Sequence, residues 1–113
     1  MYIYKKLITD DACQGKENRI IRKIRMNAGR LDTYLICLAH NSDLFDLIDC
    51  KNLKQKGYPK NDLMILGFAQ GRESAIDLSA KLFLSLSDEY GQDRFKQALL
   101  AKKDTLFRRY GCI

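Results

Sequence analysis

Two short apolar runs limit what this chain can fold into. Thr33 to Ala39 (Thr-Tyr-Leu-Ile-Cys-Leu-Ala) and Leu63 to Ala69 (Leu-Met-Ile-Leu-Gly-Phe-Ala) each span seven residues with almost no polar side chain. They have strand length, and they lack the apolar–polar alternation of a strand with one wet face. Both therefore read as central strands covered on two sides. Such a sheet needs apolar helices on each face. Lys16 to Ala28 supplies one: Ile20, Ile21, Ile24 and Ala28 recur at helical spacing, and Gly29 suits the C-cap. Residues 72–90 supply a second. Ala75, Ile76, Leu78, Leu82, Phe83, Leu86 and Tyr90 make it apolar over a wide arc, which predicts a central packing helix.

The rest of the chain is read around these elements. Residues 2–8 are β-prone and short, which suits an edge strand. Residues 10–15 form a loop. His40-Asn41-Ser42-Asp43 is a turn and a helix start, with Asn41 or Ser42 as N-cap. Leu44, Leu47, Ile48 and Leu53 then predict a helix towards Lys56, closed by Gly57-Tyr58-Pro59. After Gly91 a last helix is predicted to about Arg109. The order β-α-β-α predicts parallel neighbours joined by a right-handed crossover. The fold class expected is α/β (or α+β): one domain over residues 1–113, a three-stranded sheet with an N-terminal edge strand, and about four helices.

Composition narrows the function classes. With 46% hydrophobic and 30% charged residues, the 113-residue chain is globular in type. No apolar run reaches the roughly 20 residues needed to span a bilayer, and the N-terminus lacks the order of a signal peptide. A cytoplasmic protein with no membrane partner is expected. Cys13, Cys37, Cys50 and Cys112 contain no Cys-x-x-Cys pair, so they read as free thiols, with Cys37 in packing. No phosphate-binding loop, dinucleotide fingerprint or metal-ligand spacing occurs. No cofactor, metal or catalytic residue is assigned.

The net charge of +6 is unevenly placed. Residues 1–30 carry +5, residues 31–93 carry −4 and residues 94–113 carry +5. Two basic ends thus flank an acidic middle. On the first predicted helix, Arg19, Arg22, Lys23 and Arg25 lie off the apolar side, with Arg30 just beyond. Lys102, Lys103, Arg108 and Arg109 extend the set near the C-terminus. Arginine suits phosphate because its planar fork donates two hydrogen bonds to an oxyanion. Ordinary solvated charge is the competing explanation. Tyr2, Tyr4 and Phe107 are placed to stack on bases or to pack. Asp43, Asp46 and Asp49, at spacing three, predict a solvated acidic side of a helix.

A second candidate lies at the carboxyl ends of the two central strands, where parallel sheets bind ligands. Those ends carry His40 and Asn41, and Gln70 and Arg72. The single histidine would carry any imidazole acid–base step.

The stretches Asn18 to Gly29, Tyr34-Leu35-Ile36, Leu53 to Lys56 and Leu66 to Gly71 resemble short uncharacterised proteins encoded on bacterial integrative and conjugative elements. The resemblance covers about residues 16–85. It implies a mobile-element setting, with nucleic acids and host defence complexes as partners. The function expected is non-enzymatic: an accessory factor contacting nucleic acid or a nucleoprotein complex. The alternatives are an anti-CRISPR-like inhibitor or adaptor of a host defence complex, and a small enzyme at the strand ends. A homodimer is also anticipated.

Overall fold

A computed structural model describes residues 1–26, 32–54 and 59–112. The chain runs β1 (Tyr2–Thr9), α1 (Glu17–Met26), β2 (Thr33–Leu38), β3 (Phe45–Asp49), β4 (Met64–Gln70), α2 (Arg72–Tyr90), α3 (Phe95–Ala101), α4 (Lys103–Leu106) and β5 (Phe107–Arg109). Short 3-10 turns cover Cys50–Lys54 and Lys60–Asp62. The class is α+β: among the described residues there are four helices and a five-stranded mixed sheet in the order β3-β2-β4-β1-β5. The predicted Gly29 cap and Arg30 lie outside the described residues.

The two apolar runs do form the centre. Leu35, Ile36, Ile65, Leu66 and Phe68 are inaccessible to solvent. Side chains of each strand divide between two cores. On one face, Ile3, Leu35, Cys37, Ile65 and Phe68 pack under Ile20, Ile21 and Ile24 of α1 and Leu53. On the other, Tyr4, Ile36, Leu38, Met64, Leu66 and Ala69 pack under Ala75, Leu78, Leu82 and Leu86 of α2 and Phe95 and Leu99 of α3. Each fully buried large apolar side chain contributes about 1.5–3 kcal/mol. Central strands wet on neither face are the physical reason the sequence shows continuous runs.

The connectivity differs from the expectation in three ways. First, the helix predicted over residues 44–56 is, as far as Lys54, strand β3 followed by a 3-10 turn; its predicted end and the Gly57-Tyr58 closure lie outside the described residues. The polar run at Asn41 makes a hairpin turn, with the Asn41 Oδ1 accepting the Asp43 N–H at 2.9 Å. β3 returns antiparallel along β2, from Leu38↔Phe45 to Tyr34↔Asp49. Phe45 and Leu47 face the α2 side while Ile48 faces the α1 side, so a two-residue period won over the helical one. Asp46 and Asp49 therefore do not share a helix side with Asp43.

Second, β2 and β4 are antiparallel neighbours, so the predicted right-handed β-α-β unit is absent. The parallel pair is β1 with β4. Third, β1 is interior. Its outer side is closed by β5, which pairs Tyr2↔Arg109 to Tyr4↔Phe107 where the last helix was predicted to continue. The sheet thus has five strands rather than three.

Pairing across β4 is irregular at one point. Against β2 its register passes from Ile36↔Gly67 to Cys37↔Ile65, leaving Leu66 as the extra residue of a bulge. There β1 comes so close that a Cβ on Gly67 would lie 2.9 Å from the Ile8 carbonyl oxygen. Only glycine fits that approach.

Candidate functional site

The parallel pair sets up a crevice. β1 leads into α1 on one face of the sheet, and the adjacent β4 leads into α2 on the other. Helices leaving neighbouring parallel strands to opposite faces open a cleft at the strand carboxyl ends. Gly71 makes the sharp entry to α2 with φ 89°. Asp10 fastens the two strand ends together. One oxygen accepts the Cys13 N–H at 2.9 Å; the other accepts the Gln70 N–H at 2.8 Å and the Ser74 hydroxyl at 2.6 Å.

Burial of Asp10 opposes ionisation. The hydrogen bonds from Ser74, Gln70 and Cys13 outweigh it and hold the carboxyl below its usual pKa. A depressed folded pKa gives stability that is present above the unfolded value near 4 and lost as pH falls through the folded value. Asp10→Asn is therefore expected to lower unfolding free energy by about 1–3 kcal/mol at pH 7. The loss should shrink as pH drops below about 4, read from urea midpoints across pH.

Two open clefts flank this fastening. One, of about 620 Å³, is lined by Asp10, Asp11, Gln70, Ser74, Asp77 and Lys81 among others. The second, of about 280 Å³, lies along α1 and includes Lys16, Arg19, Lys23, Asp32, Thr33 and Gln70. Gln70 borders both. Arg72 is exposed at the start of α2. His40 and Asn41 are elsewhere: β2 runs antiparallel to β4, so their strand end lies at the opposite end of the strands. His40 borders a separate cleft of about 340 Å³ with Asp46, Asp62 and Lys103. The Lys96 ammonium holds the turn by donating to the carbonyls of Asn41 and Asp43. The expected juxtaposition of His40 with Arg72 does not occur.

The basic segments do meet. Arg22 and Arg25 are exposed on α1, and Lys23 is half-buried. The Arg25 Nε donates to the Gly111 carbonyl at 2.8 Å, and its guanidinium sits 5.5 Å from the centre of the Tyr110 ring. This contact ties α1 to the segment following β5, where Arg108 and Arg109 are exposed. Arg108 pairs with Ile3, which points to the α1 face; Arg109 pairs with Tyr2, which points to the α2 face. Lys103 lies 3.9 Å and Arg109 6.0 Å from the Tyr2 ring centre. Lys102 is exposed at the end of α3. Positive charge thus passes from α1 around the β5 edge. Tyr4 and Phe107 are buried with ring centres 5.3 Å apart, which removes them as stacking platforms.

One structural cation gave no sequence signal. Lys60 is buried, and its ammonium donates to the Ile24 carbonyl in the last turn of α1 at 3.1 Å. A cation there satisfies a helix-end carbonyl and complements the helix dipole. Lys60→Met is expected to cost about 1–3 kcal/mol, measured by urea unfolding, because it holds the basic helix in place.

The three buried thiols are poor nucleophiles. Burial, then Asp10, pushes the Cys13 pKa up to about 12. Burial, then Asp49, pushes Cys50 up to about 12, and burial raises Cys37 also. All four cysteines are free. Among the described residues no group of three or more His, Cys, Asp or Glu is placed to hold a metal, and no helix is long and apolar enough to cross a membrane. No protein-family model matches the chain, and no curated protein or solved structure is significantly similar to it.

Proposed function

We propose that this protein is a non-enzymatic polyanion-binding accessory factor that contacts the phosphate backbone of nucleic acid, free or within a nucleoprotein complex. Arg19, Arg22 and Lys23 of α1 and Arg108 and Arg109 of β5 make the contacts, with Lys102 and Lys103 at the flank. The observation that carries this reading is the Arg25 contact with Tyr110 and Gly111. It joins two basic segments, far apart in sequence, and supports a basic surface that runs from α1 around the β5 edge. Arg25 itself serves partly as the link. A mobile-element setting suits such a factor, since transfer of an element proceeds through nucleoprotein intermediates.

The reading makes binding largely independent of sequence and dependent on salt, because each neutralised phosphate releases counterions. Fluorescence anisotropy with labelled single-stranded DNA, duplex DNA and RNA at two salt concentrations tests it. Saturable binding with a steep salt slope is expected, and no binding at low salt would refute it.

The opposite sheet edge favours a second reading, an inhibitor or adaptor of a host defence complex. Among the described residues β3 pairs with a strand on one side only, and it carries Asp46 and Asp49, beside Asp43 in the turn. An open strand edge can accept a strand from another protein. Stoichiometric co-purification of a host protein, insensitive to nuclease, would select it. A small enzyme built on His40 and Arg72 together is set aside, because the two stand at opposite ends of antiparallel strands.

A further inference from the structure

The sequence of α2 is apolar around much of its circumference, yet only one side is buried. Ala75, Leu78, Leu82 and Leu86 face the sheet, while Ile76 and Leu84 are 44% and 64% exposed. A helix apolar on its outer side as well as its inner side normally has something against both. The outer row is specific: Arg72, Ile76, Ala80, Leu84 and Asp88 follow one another at intervals of four and all are exposed. Such a row forms one surface ridge of a helix. Among the described residues Arg72 and Asp88 have no charged partner.

We propose that this ridge is a homodimer interface in which α2 packs antiparallel against α2 of a second copy about a twofold axis at Ala80. The pattern is self-complementary under that operation and under no parallel one. Residue 76 meets residue 84 of the partner, so both apolar side chains are covered twice. Residue 80 meets its own copy, and alanine permits close approach of the two helices. Residue 72 meets residue 88, placing an arginine opposite an aspartate at both ends. Ridges at intervals of four favour an interhelical angle near −50°, at which the two rows run alongside one another. A parallel pairing would instead set Arg72 against Arg72 and Asp88 against Asp88. α2 and α1 lie on opposite faces of the sheet, so the basic side of α1 stays open in each copy. The inference does not depend on what that side binds.

Sedimentation velocity on the full chain, across a concentration series, tests the proposal. The wild type is expected to show a reversible monomer–dimer equilibrium. Leu84→Glu removes an anchor from both copies and should weaken the dimer by about 100-fold or more, with an unchanged circular dichroism spectrum. Arg72→Glu and Asp88→Arg each set like charges together twice and should weaken it by about tenfold or more. The double variant Arg72→Glu/Asp88→Arg should recover wild-type association. Under mild oxidation, Ala80→Cys should yield a disulfide-linked dimer beyond any background from the native cysteines. A protein that is monomeric at every concentration overturns the proposal. So does a dimer that survives Leu84→Glu, a charge swap that fails to restore association, or an Ala80→Cys protein that does not cross-link.

Discussion

Reversing two charges, Arg22→Glu with Arg108→Glu, is expected to weaken nucleic-acid binding by about 100-fold or more at low salt and to reduce the salt slope by about 2. One residue is on α1 and the other on β5, so the variant samples both halves of the proposed surface. Both side chains are exposed, and neither takes part in the hydrogen bonds that hold α1 or β5, so the fold should persist. Arg25 is left intact because its link to Gly111 and Tyr110 is structural. The comparison variant, Asp46→Lys with Asp49→Lys on the far edge, should leave affinity unchanged or raise it slightly. Anisotropy titrations at matched salt give both numbers. Equal loss from Arg22→Glu alone and from the pair would mean that β5 contributes nothing and that α1 acts alone.

Phe95→Ala is expected to lower the unfolding free energy by about 3–5 kcal/mol, the largest single effect on stability. Phe95 is fully buried at the start of α3. Its ring centre lies 5.9 Å from Phe45 in a stacked pair and 5.8 Å from Phe83 edge-on. It therefore joins the outermost strand β3, α2 and α3 in one cluster. Deleting the ring leaves a cavity that three separate elements would have to move to fill, and close-packed elements relax only in part. A chain of this size has about 5–15 kcal/mol of stability in all, so the variant should sit near the edge of folding. Urea unfolding by tyrosine fluorescence and circular dichroism measures the loss. Phe95→Leu, which keeps most of the volume, should recover a large part of it. The same cluster supports β3 as a strand: paired with Leu38 on β2, Phe45 stacks against Phe95.

Local information was enough for some of this fold. The continuous apolar runs at residues 33–39 and 63–69 could only be strands covered on both faces, because seven residues cannot bury a helix and no alternation marks a wet side. The triad Ile20, Ile21 and Ile24 placed the buried side of α1 and, by exclusion, its basic side. The apolar arc of α2 was also legible, although Ile76 within it, and Leu84 beside it, proved to face outward. Charge counts separated basic ends from an acidic middle.

Only tertiary structure decided the remainder. Residues 44–54 fit a helical period and a strand period alike, and the open edge of β2 together with the Phe45–Phe95 contact chose the strand. Strand direction leaves no trace in composition, so the antiparallel β2–β4 pairing, which parts His40 from Arg72, was invisible. The end of the chain lost its predicted helical character because β1 offered an edge and Phe107 a buried place beside Tyr4. The structural roles of Asp10, Lys60 and Arg25 gave no signal, since each acts on a backbone group at least 36 residues away in sequence. Periodicity reports which side of an element is buried; which elements meet depends on contacts that the chain makes only once it has folded.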